Sequence, residues 1–98
     1  MKTLSNDIIQ QTIEERGKVY GDPYESHCNI ALAWTALLRQ GGFIGDNTSI
    51  NASTVAQMMV VFKMQRSARV FKEDNYIDAH AYCNFAEQFQ VKESQKLP

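Results

Sequence analysis

Three stretches of the sequence concentrate residues able to hold a charged ligand. In Arg16-Gly17-Lys18-Val19-Tyr20-Gly21-Asp22-Pro23, two glycines frame a short run with two cations and a tyrosine, and the run leads into a helix start. Free amides at a helix N-terminus, reinforced by the dipole, favour an anion. Arg16 can grip a phosphate or carboxylate through two parallel hydrogen bonds. Lys18 adds a second cation, and Tyr20 and Tyr24 offer rings on which a base can stack. The plainer alternative is a capped helix–helix connection with solvated charges, because Asp22-Pro23 is already a helix-start signal.

In Lys63-Met64-Gln65-Arg66 the two cations are three residues apart and share a helix face. They follow an apolar run, so their stems are expected to be half-buried and to require an anionic partner. That partner is either a ligand or an acidic side chain of another helix. Asp74-Asn75-Tyr76-Ile77-Asp78-Ala79-His80-Ala81-Tyr82 places Asp74, Asp78 and Tyr82 on one face at a spacing of four. Asn75 and Asp78, three apart, can offer two oxygens to one cation or read the polar edge of a base or ribose. Asp78 paired with Lys63 or Arg66 is the alternative that needs no ligand.

Metal chemistry has two possible sources. His27-Cys28 and His80-x-x-Cys83 supply four nitrogen and sulfur ligands of the kind zinc accepts. Adjacent His27 and Cys28 diverge by about 100° on a helix, which disfavours a shared ion. Glu15, Glu25, Asp74 and Asp78 could instead surround magnesium, which prefers hard oxygen ligands.

Four helices are expected to position these groups. The first runs from about Asn6 to Arg16, capped by Ser5 or Asn6, with Ile8, Ile9 and Ile13 as its apolar stripe and Gly17 as its stop. The second starts at the Asp22 cap and Pro23, carries Ile30, Ala31, Trp34, Leu37 and Leu38, and ends at Gly41-Gly42. The third begins near Asn51 or Ser53 and ends between Ser67 and Phe71. The fourth starts at Asp74 or Asn75 and runs to about Val91, with Ile77, Ala81, Phe85 and Phe89 on one face. Residues 42–50 read as a loop, and 92–98 as a solvated, frayed tail. The fold class is all-α, a compact bundle of about four helices forming one domain over residues 1–98.

The chain has 98 residues, 44% hydrophobic and 21% charged, as in an ordinary globular domain. Ten basic and eleven acidic residues give a formal charge of −1, which argues against a general nucleic-acid binder. No apolar run approaches the roughly 20 residues a membrane span requires, and the N-terminus has no signal-peptide core. A cytoplasmic location and free thiols at Cys28 and Cys83 are the expectation. A domain this small often gains stability by association, so a homo-oligomer is expected; Trp34, Met58, Met59, Phe71 and Phe89 could supply its interface, although filling the monomer core is the favoured reading of each one singly.

Four blocks in order, Glu15-Arg16-Gly17-Lys18-Val19-Tyr20-Gly21-Asp22-Pro23, Ile30-Ala31-Leu32-Ala33-Trp34, Met58-Met59 with Lys63-x-x-Arg66, and Asp74-Asn75-Tyr76-Ile77-Asp78-x-x-x-Tyr82, resemble a family of small phage and prophage proteins. The order of parts is also distantly similar to the MazG-like all-α nucleotide pyrophosphohydrolases, which hold magnesium with paired acidic helices. The resemblance implies a nucleotide ligand. The acidic pairs differ here: Glu25-Ser26-His27-Cys28 is not E-x-x-E, and the second pair is at best Asn75-x-x-Asp78. The departure favours binding without a cofactor and without hydrolysis.

The expected function is therefore capture of a phosphate-bearing nucleotide, with sequestration of a second messenger of host antiviral defence as its phage setting, in the cytoplasm of an infected bacterium. Its binding residues would be Arg16, Lys18, Tyr20, Tyr24, Lys63, Arg66, Asn75 and Asp78. The alternatives are a magnesium-dependent pyrophosphohydrolase and a protein–protein inhibitor that uses exposed methionine and aromatic surface.

Overall fold

The computed structural model describes residues 6–95; within its first helix, the side chains at positions 17, 19 and 20 are outside the description. Four helices follow in order: α1 (Asn6–Tyr20), α2 (Pro23–Gln40), α3 (Ala52–Arg66) and α4 (Glu73–Gln95). No strand occurs among the described residues, and the molecule is an all-α bundle. No helix among them is long and apolar enough to cross a membrane.

The helix starts expected from local signals are present. Asp22 caps α2, its carboxylate accepting from the Glu25 amide at 3.1 Å, with Pro23 in the first turn. Asn51 caps α3, accepting from the Thr54 amide at 3.0 Å. Gly41 follows the end of α2, and Gly42 turns the chain at φ +76°. The Ser5 cap falls outside the described residues.

Helix α3 ends at Arg66 and α4 begins at Glu73, each one residue before the expected limit, and two other boundaries differ by about a turn. Helix α1 does not stop at Gly17; it continues to Tyr20 and breaks at Gly21, whose φ of +81° is left-handed backbone that suits glycine. A glycine inside a helix costs only about 1 kcal/mol, which packing against α4 can offset. Helix α4 also outruns its expected end by one turn. The supposed frayed tail is helical to Gln95, and Glu93 accepts from the Ser53 amide at 3.0 Å and the Ser53 hydroxyl at 2.8 Å. A carboxylate from α4 thus satisfies donors in the first turn of α3, where the dipole favours negative charge. The last three residues are outside the description.

The Ser53–Glu93 bonds join the start of α3 to the end of α4, so these two helices run antiparallel. They share the most extensive packing in the bundle, with α2 packed on α3 and α1 on α4. Small residues allow the approach: Ala52, Ser53 and Ala56 on α3, and Ala79, Ala81 and Ala86 on α4, are all buried. One interior cluster combines Ala52, Ala56, Ala86 and Phe89, with Tyr24, Cys28 and Phe85 packed against it. Phe89 is therefore a core residue, the favoured of its two readings. The connection between α2 and α3 is tied down by the Arg39 guanidinium, which donates to the Thr48 carbonyl at 3.0 Å and the Ser49 hydroxyl at 2.9 Å. Thr35 Oγ1 accepts from the Ile50 amide at 3.0 Å.

Candidate functional site

A single carboxylate organises the interior end of the bundle. Asp78, in the second turn of α4, is 6% exposed, which is costly for an ionised group without partners. It has two. Lys63 Nζ from the last turn of α3 stands 2.9 Å from Oδ2, and Arg16 Nη2 from α1 stands 2.5 Å from Oδ1. The Lys63 side chain is only 16% exposed, whereas that of Arg16 is 47% exposed. The Arg16 contact is an ion pair without hydrogen-bond geometry, so Oδ1 remains without a hydrogen-bond donor.

These three residues line a cavity of about 430 Å³, within the range of small-molecule sites. Gly21, Pro23, Ser26, His27 and Ile30 from the α1–α2 corner and α2 form one part of its lining. Ile13, Met59, Ala81, Tyr82 and Phe85 add apolar and aromatic surface. The cavity therefore combines one fixed anion and two cations with a ring-rich lining.

His27 is the residue that sequence reasoning placed only in a possible zinc set. It is 7% exposed and lies among three rings, with centroids 5.8 Å from Tyr82, 5.8 Å from Phe85 and 5.0 Å from Phe89. Its Nδ1 stands 2.7 Å from the Pro23 carbonyl one turn earlier. A carbonyl can only accept, so Nδ1 carries the proton, and in the neutral ring Nε2 presents a lone pair. Nε2 has no partner in the protein. Among the described residues, three buried side-chain atoms lack a hydrogen-bond partner, and two of them, His27 Nε2 and Asp78 Oδ1, belong to residues lining this one cavity. The signal available in the sequence was the spacing Pro23-x-x-x-His27, which allows a histidine to bond back to the carbonyl one turn earlier.

The other candidates separate from this site. Arg66 does not line the cavity; its guanidinium lies over the Phe62 ring at 5.5 Å, on an exposed surface. Three residues along a helix turn a side chain by about 60° from its neighbour, enough at the edge of a packed face to put Lys63 inside and Arg66 outside. Lys18 is exposed and does not line the cavity. Tyr24 packs edge-on against Phe89 at 5.2 Å and carries Lys92 Nζ over its ring at 4.6 Å, away from the cavity lining. Asn75 is buried but does not line the cavity. The Tyr20 side chain is outside the described residues.

At the start of α2 the structure matches the capped connection. Asp22 already supplies a carboxylate to the free Glu25 amide, and this negative charge opposes a second anion there. Of the four acidic residues considered for magnesium, only Asp78 lines the cavity. Glu15 accepts from Gln11 at 3.2 Å on the outer face of α1, Glu25 borders a neighbouring groove, and Asp74 is exposed. For zinc, His80 and Cys83 are exposed while His27 is buried among rings. No group of three or more His, Cys, Asp or Glu side chains gathers around one point among the described residues.

No curated protein and no solved structure matches the chain. A family model does, across residues 5–90 and so across all four helices short of the last turn of α4: the chain belongs to the family described as a domain of unknown function, DUF6378.

Proposed function

We propose that this chain binds a small phosphate-bearing ligand of the nucleotide class in the cavity around Asp78, and holds it without hydrolysis. The observation that carries the reading is the pairing of a half-exposed Arg16 and a largely buried Lys63 on one fixed carboxylate beside an aromatic cavity. Asp78 holds the cations in place, and two cations against one carboxylate leave a net positive charge for an arriving phosphate. Arg16 can exchange its single contact for a two-pronged grip on that phosphate. The Tyr82 and Phe85 surface suits a flat base. Capture is favoured over turnover because Glu15, Glu25 and Asp74 stand apart from Asp78. Within capture, the sequence likeness to small phage proteins leads us to propose a nucleotide second messenger of host defence as the ligand.

The test is thermal denaturation against linear and cyclic nucleotides, with and without Mg²⁺, followed by mass spectrometry of the recovered ligand. A ligand at 100 times its dissociation constant adds about 2.7 kcal/mol, a rise in Tm on the order of 10 °C for a chain this size. The expected result is such a rise with the ligand recovered intact in both conditions. Magnesium-dependent appearance of pyrophosphate or monophosphate would replace capture with hydrolysis. No shift with any nucleotide would overturn the small-ligand reading and favour the protein-inhibitor alternative.

We also propose that two copies associate through the outer faces of α2 and α3. Met58, Val61 and Phe62 form an exposed apolar row at helical spacing on α3, and Leu32 and Leu37, 71% and 69% exposed and about 140° apart around α2, add apolar area on two sides of that helix. The outward residues of α1 are mainly polar by contrast. Monomers seldom leave extended apolar faces in water. Sedimentation should give a particle of twice the 11.2 kDa chain mass, and Phe62→Lys should return it to one chain. A wild-type chain that sediments as a monomer at about 100 times the micromolar scale, where a dissociation constant of 1 μM corresponds to about 8.2 kcal/mol, would refute the pairing.

A further inference from the structure

The ion pairs explain why Asp78 is buried, but they leave two hydrogen-bond acceptors at the cavity unused. His27 Nε2 is one, because Nδ1 spends the ring's proton on the Pro23 carbonyl. Asp78 Oδ1 is the other: it is ion-paired with Arg16 Nη2 at 2.5 Å but takes no hydrogen bond, so it is open to a ligand donor once Arg16 turns to the phosphate. If phosphate draws Arg16 away, Oδ1 also loses its nearest positive charge. Buried acceptors of this kind are matched by donors, and a ligand that supplies none leaves them desolvated without compensation.

We infer that the cavity selects a ligand bearing two separate, neighbouring hydrogen-bond donor groups on a flat ring, and that within the nucleotide class this ligand is a guanine nucleotide. This rests on the reading that a nucleotide enters the cavity. Guanine is the common base whose pairing edge carries two neighbouring donor groups, the N1–H and the 2-amino group. Adenine and cytosine each present one amino group, and uracil one ring N–H. The donors would meet His27 Nε2 and Asp78 Oδ1, while Tyr82 and Phe85 cover ring surface. His27 is then a specificity residue, and Lys63 with Arg16 hold the phosphate.

The experiment is calorimetric titration of the full chain with a graded series: GMP, IMP, purine riboside 5′-monophosphate and ribose 5-phosphate. IMP lacks the 2-amino group, and the purine riboside lacks both donors while keeping the ring and phosphate. Affinity is expected to fall at least tenfold at each lost donor, because each leaves a buried acceptor unpaired. His27→Phe, which keeps a ring against Phe85 and Phe89 but removes the acceptor, should compress the GMP-to-purine ratio by at least tenfold while ribose 5-phosphate binds as before. The unmodified chain alone decides the matter if that variant does not fold. Equal affinity for GMP and the purine riboside monophosphate would overturn donor selection and leave nucleotide capture standing. Failure of all four ligands to bind would overturn the capture reading and this inference with it.

Discussion

Phe89→Ala should lower the unfolding free energy by about 4 kcal/mol, the range for deleting a buried aromatic side chain. Phe89 is 2% exposed and central to the aromatic interior. It stacks on Phe85 with centroids 5.8 Å apart and rings 6° from parallel, meets Tyr24 edge-on at 5.2 Å, and lies 5.0 Å from His27. Its buried apolar neighbours in the same cluster are Ala52, Ala56 and Ala86. Alanines have no side-chain freedom with which to refill a void, so the cavity would persist. Urea unfolding checks the figure, and the melting temperature should fall by roughly 20 °C. Phe89→Leu, which keeps most of the volume, should cost less than half as much. A loss below about 1 kcal/mol in the alanine variant would show that the aromatic interior is not what holds α2 against the α3–α4 pair.

Lys63→Ala should damage both folding and binding. Removing one partner of a buried ion pair strands the other, a loss of about 3 kcal/mol. Arg16, half in solvent and without hydrogen-bond geometry to Asp78, can offset only part of it. The same substitution should weaken the proposed nucleotide binding at least fiftyfold, since Lys63 is the more enclosed of the two cations. The comparison with Arg66→Ala is the discriminating one. Arg66 sits on an exposed surface over Phe62, so its removal should change stability by less than about 0.5 kcal/mol and leave binding intact. Lys63→Met combined with Asp78→Leu should recover much of the lost stability, because an apolar pair of similar volume removes the stranded charge. Binding should not return in that double variant. Equal effects of Lys63→Ala and Arg66→Ala would contradict the site as drawn.

The sequence by itself determined the all-α class, both ends of α2 and the start of α3. Asp22-Pro23, Asn51 and Gly41-Gly42 act through hydrogen bonds and dihedral preferences that span three or four residues, so their effect is complete within the local chain. It also determined that Asp78 and Lys63 need oppositely charged partners, because both stand on helices whose neighbouring positions are apolar or small. The tertiary structure decided which partners these are. Arg16, on the first helix, was legible as a cation but not as the neighbour of Asp78; Arg66, on the same helix as Lys63, was the sequence-adjacent choice and points outward. Only packing carried α1 through Gly17 and extended α4 far enough for Glu93 to reach Ser53. His27 belongs to the same class. Its back-bond to Pro23 is local, but the burial that leaves Nε2 without a partner arises where α2 meets Tyr82, Phe85 and Phe89 of α4. Short-range rules end at about one helical turn, whereas burial depends on which faces meet across the bundle.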